Sequence, residues 1–304
     1  MDLNDFLNKV IPFRKKRLDR AFWEACETGK LLQVHNLLKK GADINAKKNG
    51  VPAILCAVLN RRADIAMRLA QNPKTDINAE NPNGETALYV AVSNGDIPVV
   101  KTILSREDVE VSKKPLSETK SLLHTAVLNE NYGMVLVLGR CPKTDVNARD
   151  EYGKTPLHYA ARMKNSGIFR SLLLHPKANV NAQDEEGKTP LYEASEKGKH
   201  DYVHCFLLHP DINPNIQDRE GNTPLHIATL LGHENVIQVL GLNSKVDLSV
   251  QNNVGRTAEK STPFYETRKN FRLINRLRNG KNQVFLNKNL LSRRQMERKQ
   301  TSRD

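Results

Sequence analysis

The sequence predicts an all-α chain, a solenoid of about seven to eight helix–turn–helix repeats with β-turn fingers between them. Three observations lead there. A block of Gly, Thr, Pro and Leu returns as Gly153-Lys154-Thr155-Pro156-Leu157-His158, Gly187-Lys188-Thr189-Pro190-Leu191-Tyr192 and Gly221-Asn222-Thr223-Pro224-Leu225-His226, then in trimmed form as Gly255-Arg256-Thr257-Ala258, with the threonines 34 residues apart. Upstream, Gly84-Glu85-Thr86-Ala87-Leu88-Tyr89 is the same block and Ser121-Leu122-Leu123-His124 a weaker one. An alanine column runs through the chain at Ala25, Ala57, Ala91, Ala126, Ala160, Ala194 and Ala228. A fixed period of this length is the mark of a repeat array, in which each unit buries its apolar face only against its neighbours.

The elements follow in order. Residues 1–19 carry Leu3, Phe6, Leu7, Val10 and Ile11 on one helical stripe, expected to cap the first repeat, and then the basic cluster Arg14, Lys15, Lys16, Arg17. Residues 20–280 form the array, about seven repeats and a degenerate eighth. Within a repeat, Thr155 suits a helix cap and Pro156 the first helical turn, where its missing N–H costs nothing. Leu157, Ala160 and Ala161 share one face, and small alanines let neighbouring helices approach. This first helix is expected to end near Asn165-Ser166-Gly167. The second carries Ile168, Phe169, Leu172 and Leu173, and Pro176 stops it. Val180 to Asp184 is read as extended, and Asp184-Glu185-Glu186-Gly187 as a turn with glycine in the left-handed position. The fourth repeat breaks the pattern: Val109 to Lys120 lacks the glycine and carries Pro115, so an irregular loop is expected. Near the end, Thr262-Pro263 opens a helix with Phe264, Phe271, Ile274 and Leu277 on one side, a bent cap closed by Asn279-Gly280. Residues 281–304 form a basic tail that includes Arg293 and Arg294.

These motifs closely resemble the ankyrin repeat, a turn with two antiparallel helices marked by T-P-L-H-x-A. The resemblance covers about residues 20–280 and is most specific over 144–240. It implies a non-enzymatic scaffold that binds a partner protein with its finger tips and the exposed ends of its first helices. Several such helix ends are apolar: Leu59, Leu128, Met163, Leu230 and Leu231. On these grounds the candidate partner-binding residues are Tyr152, Lys154, Arg162, Met163, Glu185, Glu186, Arg219, Leu230 and Leu231. Leu230 and Leu231 stand either as binding anchors or as packing against the next repeat. A small chain made almost wholly of divergent ankyrin repeats also resembles effectors that intracellular bacteria deliver into host cells.

Composition bounds the alternatives. The 304 residues are 38% hydrophobic and 27% charged, which excludes a wholly disordered chain, and no apolar run reaches bilayer length. Four scattered cysteines form no C-x-x-C pair, so a reducing compartment such as the cytoplasm is expected. The net charge of +13 resides in the two ends, because acidic and basic residues balance across 21–255. Basic ends suit acidic surfaces or nucleic acid, and nuclear entry is the alternative to an adaptor role. His200 and His204 stand at i, i+4, with His209 beyond, but no H-E-x-x-H follows, and no metal or cofactor is expected. The recurring His124, His158 and His226 are read as structural. No nucleophile elbow or phosphate-binding glycine loop occurs, the repeats leave no room for a catalytic domain, and a monomer is expected.

Overall fold

The computed structural model describes residues 3–278 except residue 116, with side chains from residue 13 onward except 265 and 266. Arg293, Arg294 and the rest of the basic tail, Asn279-Gly280 and the side chains of the 3–11 stripe lie outside the described residues. The described residues form eight helix pairs. They are α1 (Leu3–Thr28) with α2 (Leu31–Lys39), α3 (Ala53–Leu59) with α4 (Ala63–Ala70), α5 (Ala87–Asn94) with α6 (Ile97–Leu104), and α7 (Leu122–Leu128) with α8 (Tyr132–Arg140). Then come α9 (Pro156–Arg162) with α10 (Ser166–Leu173), α11 (Pro190–Glu196) with α12 (His200–Leu208), α13 (Pro224–Leu230) with α14 (Glu234–Leu242), and α15 (Ala258–Ser261) with α16 (Tyr265–Arg278). A short antiparallel hairpin, β1 (Lys47–Lys48) and β2 (Val51–Pro52), forms the first finger. Its tip is Asn49-Gly50, both at positive φ, the pairing that a two-residue hairpin turn requires.

Four of the first helices start as the sequence predicts, whereas Pro52 before α3 and Thr257 before α15 make no side-chain cap. The hydroxyls of Thr86, Thr189 and Thr223 accept the backbone N–H three residues on, at 3.1, 3.1 and 3.4 Å, and Ser121 does the same at 3.4 Å. The alanine column is buried from end to end, with every member at most 2% exposed. The second helices supply the bulk: Ile65, Leu69, Ile103, Met134, Phe169 and Phe206 are wholly buried. At the far end, Phe271 and Ile274 of α16 pack on α14 so closely that a Cβ on Gly241 would lie 2.5 Å from Ile274 Cδ1.

Several expectations need correction. The fifth first helix ends at Arg162, earlier than expected, because Asn165 already caps α10 by accepting from Ile168 N at 3.2 Å. Residues 180–181 form a turn instead of extended chain, with Ala182 N donating to Asn179 O. Phe264 precedes α16 and is 47% exposed, lying over Gly232, where an added Cβ would meet its ring at 3.1 Å. Cys205 on α12 is only partly buried, whereas its neighbour Phe206 is wholly buried. Helix α1 crosses the 19/20 boundary without a break. Phe13, Arg14, Lys15, Lys16 and Arg17 are all exposed, and five consecutive residues exceed one helical turn, so no face of α1 packs there.

The chain divides into two compact units, one of residues 1–160 and 165–178 and one of 161–164 and 179–304. Tyr152 and Lys154 belong to the first. Arg162, Met163, Glu185, Glu186, Arg219, Leu230 and Leu231 belong to the second.

Candidate protein-interaction surface

Two polar devices set the geometry of the fingers. In the first, one side-chain oxygen closes each of the five regular fingers. Asp184 Oδ1 accepts from Glu186 N and Lys188 N, both at 2.9 Å, and Asp218 Oδ1 accepts from Glu220 N and Asn222 N at 2.9 and 2.8 Å. Asp150, Asn81 and Asn252 act in the same way. Glycine follows at positive φ: Gly153, Gly187 and Gly221. In the second, an asparagine two places after the loop acid or amide reaches the next repeat. Asn45, Asn147, Asn181 and Asn215 donate to Lys74 O, Lys177 O, Asp211 O and Lys245 O at 2.7–2.9 Å. The consensus histidines lock the finger base to the helix. His226 Nδ1 accepts from Thr223 N at 3.3 Å, so its proton sits on Nε2, which faces Arg256 O at 3.0 Å. His124 repeats this with Ser121 and Lys154 O. Burial holds both imidazoles below their usual pKa and therefore neutral.

On this frame the second unit presents its candidate residues. Leu225 and Ala228 face the core of α13, so Leu230 and its neighbour Leu231 fall on the opposite side, 49% and 46% exposed. Gly232 at φ +72° ends the helix there. Met163 is half-buried. Arg162 is tied down: its Nη1 lies 2.6 Å from Glu193 Oε2 and 3.7 Å from Glu196. Glu193 is wholly buried and was not among the candidate residues. The signal was an acid in the column that Tyr159 and Ile227 occupy in flanking repeats. Lys188 continues the cluster, 2.7 Å from Glu186 and 3.6 Å from Glu196, with its ammonium 5.6 Å from the centre of the Tyr192 ring. Burial lowers the Lys188 pKa, but these glutamates more than offset it and hold the amine firmly charged. Glu185 and Arg219 stand 3.7 Å apart and largely exposed, and Arg219 N donates to Glu186 O at 2.9 Å, which joins neighbouring fingers.

In the first unit Tyr152 is 57% exposed at its finger tip, and the Lys154 backbone joins the His124 lock. Arg14 to Arg17 are exposed on α1. His209 Nδ1 accepts from Asp211 N, the role His175 plays for Lys177 N, and His200 faces Asp201 at 3.2 Å. Cys26 and Cys56 are buried, and burial pushes their thiols up to about 12 and about 11, away from reactive thiolate.

The arrangement defines a class: a helix-pair repeat array with closed fingers, in which exposed apolar residues include finger-tip and first-helix-end positions such as Tyr152, Leu59, Leu128, Leu230 and Leu231. The ankyrin repeat profile, three repeats in length, matches residues 22–115, 107–184 and 166–252, and the chain belongs to the ankyrin repeat family. The crystal structure of EF0377, an ankyrin repeat protein, superposes with a TM-score of 0.55 at 24% identity, covering 68% of this chain and all of that one, which supports the fold. Alpha-latrocrustotoxin-Lt1a of Latrodectus tredecimguttatus is 36% identical over 70 residues, 23% of this chain and 5% of the toxin. Among the described residues no helix is long and apolar enough to cross a membrane.

Proposed function

We propose that the chain is an adaptor that binds a partner protein through the second unit, with Leu230 and Leu231 as anchors, Met163 beside them in role, and Glu185, Glu186 and Arg219 as a charged rim. Ankyrin repeats are generally protein-interaction modules, and the array carries no catalytic constellation among its described residues. The observation that carries the reading is the half exposure of two adjacent leucines at the end of α13, the helix whose Leu225 and Ala228 are buried. Apolar anchors ringed by polar groups are the anatomy of a contact site. Tyr152, with Lys154, extends the candidate set to a finger tip of the first unit. The basic ends, including Arg14–Arg17 and Arg293–Arg294, then serve encounter more than choice of partner.

The test is Leu230→Asp with Leu231→Asp in the full chain. Capture of partners from a eukaryotic lysate, which also addresses an effector acting on host proteins, is lost while the circular dichroism spectrum and melting curve stay nearly intact. Unfolding of the double variant would place the leucines in the core. Retained capture by that variant, with capture lost on deleting 281–304, would favour the alternative of a nuclear or nucleic-acid factor acting through its basic ends; steep salt dependence would accompany it.

A further inference from the structure

At several first-helix ends the array follows one rule: a side chain of the next repeat donates to a carbonyl of the helix end. Arg62 lies over Gly29, where an added Cβ would meet its side chain at 3.0 Å, and its Nε donates to Glu27 O at 3.2 Å. His233 lies over Gly198 in the same way, and its Nε2 faces Glu196 O at 2.9 Å. Asn94 and Asn129 donate to Val58 O and Ser93 O at 3.3 and 3.4 Å.

The end of α13 departs from this rule twice. The residue over Gly232 is Phe264, whose ring would meet an added Cβ at 3.1 Å. A phenyl ring has no N–H, and among the described residues nothing donates to Leu230 O. The residue before this glycine is Leu231, where Asn94 precedes Gly95. Leu230, Leu231 and Phe264 are 49%, 46% and 47% exposed. Neither departure serves the fold. A donor at 264 would cap α13 as His233 caps α11, and an amide at 231 would meet water at less cost than a leucine. Two polar-to-apolar changes from different elements thus meet in one patch beside an open backbone acceptor.

The edge of the patch is charged. Arg268 is exposed, and its Nη2 donates to Thr262 O at 3.3 Å while its backbone N donates to Phe264 O at 3.4 Å, which keeps the guanidinium near the start of α16. A carbonyl contact leaves a guanidinium its full charge and most of its donors. The nearby acid, Glu234, is turned away to Thr267 and Asn270 of α16.

We propose that this patch binds an extended segment of a partner protein that carries two apolar side chains and a carboxylate at alternate positions, the spacing that an extended chain presents on one face. The apolar side chains cover Leu230, Leu231 and Phe264, a backbone N–H of the segment donates to Leu230 O, and the carboxylate takes the fork of Arg268. The proposal rests on the adaptor reading of Leu230 and Leu231 and adds two specificity residues, Phe264 and Arg268.

The test is an amide-resonance titration of the full chain with the end-capped peptide Leu-Ser-Leu-Ser-Asp, with its asparagine counterpart and with a counterpart in which alanine replaces both leucines. Expected with the first are saturable shifts at residues 230–232, 264 and 268. The asparagine peptide binds about tenfold more weakly, the loss of one charge-assisted bond, and the alanine peptide gives no saturable shifts. Arg268→Gln removes the preference for aspartate but keeps the demand for leucine. Phe264→His, which offers Leu230 O the donor that His233 gives Glu196 O, weakens both leucine peptides without lowering the melting temperature. Both positions are exposed, so each variant checks the other if one fails to fold. The absence of saturable shifts at 230–232 and 264, equal binding of the aspartate and asparagine peptides, or unchanged binding in both variants would overturn the proposal. So would a shift of these resonances on deleting 281–304 without peptide, which would make the tail the occupant. Any of these results, together with loss of lysate capture in the Leu230→Asp, Leu231→Asp variant, would leave the adaptor reading standing and this one fallen.

Discussion

The fingers at 184–189 and 218–223 and the stretch from 110 to 121 belong to the same kind of repeat, yet they are closed by different means. In the regular fingers one aspartate oxygen holds two backbone N–H groups, a glycine takes the left-handed turn, and an asparagine spans to the next repeat. In the irregular stretch none of these three is present. Lys113 ties back to Glu80, Lys114 reaches Thr119 O, and Lys143 reaches in from the following loop. The helices on either side do not register the difference: Val99, Val100, Ile103, Leu123 and Ala126 are all wholly buried. Helix packing and finger closure are therefore separable. The core comes from apolar faces, and the fingers come from a few polar side chains.

That separation sets the order of mutational effects. Leu225 is 1% exposed between first helices, and Leu225→Ala is expected to cost about 2–5 kcal/mol in chemical denaturation. A loss below about 0.5 kcal/mol would misplace the helix face. Next comes finger closure. Asp218→Ala frees two backbone N–H groups and the Tyr192 hydroxyl, which donates to Asp218, and is expected to cost about 1–3 kcal/mol. Glu118→Ala, the acid in the irregular finger that accepts from Lys120 N, should cost less than about 0.5 kcal/mol. Equal costs would mean that the two fingers are held alike.

The smallest effect is pH-dependent. Burial lowers the pKa of His124 and His226 in the folded chain below their ordinary 6.5. The unfolded chain then binds more protons, so their stabilising contribution is complete above pH 6.5 and declines as the pH falls through that value towards the folded pKa. Thermal melts across this window show the slope, and His226→Gln removes part of it.

Much of this was legible in the sequence, and the reasons are local. Thr189, Pro190, Leu191 and Ala194 act within one helical turn, so their spacing alone fixes cap, start and buried face. The Asp–Gly turns and the structural histidines were readable for the same reason. Glu193 was not, because its partner Arg162 lies 31 residues earlier, and only stacking brings them together. The end of α9 was misplaced because Asn165 caps the next helix instead of extending the last. The division into two compact units has no local marker, since the repeat runs through residues 155–189 without a linker.

The irregular stretch is also narrower than its sequence suggests. Arg106 clamps the preceding loop through Ala70 O, Asn72 O and Thr75 O, and pairs with Asp108 at 2.6 Å, so residues 105–109 are anchored. Native-state hydrogen exchange tests the central claim most directly. Within non-terminal segments, amides of 112–120 should exchange fastest, those of 105–109 more slowly, and the fingers at 184–189 and 218–223 more slowly still, with α5, α7 and α13 best protected. Ser112→Asn, which restores the ladder residue facing Lys143 O, should slow exchange at 112–120. Equal protection of all the fingers, or no response to Ser112→Asn, would contradict the view that these polar contacts, and not the helix core, hold the fingers closed.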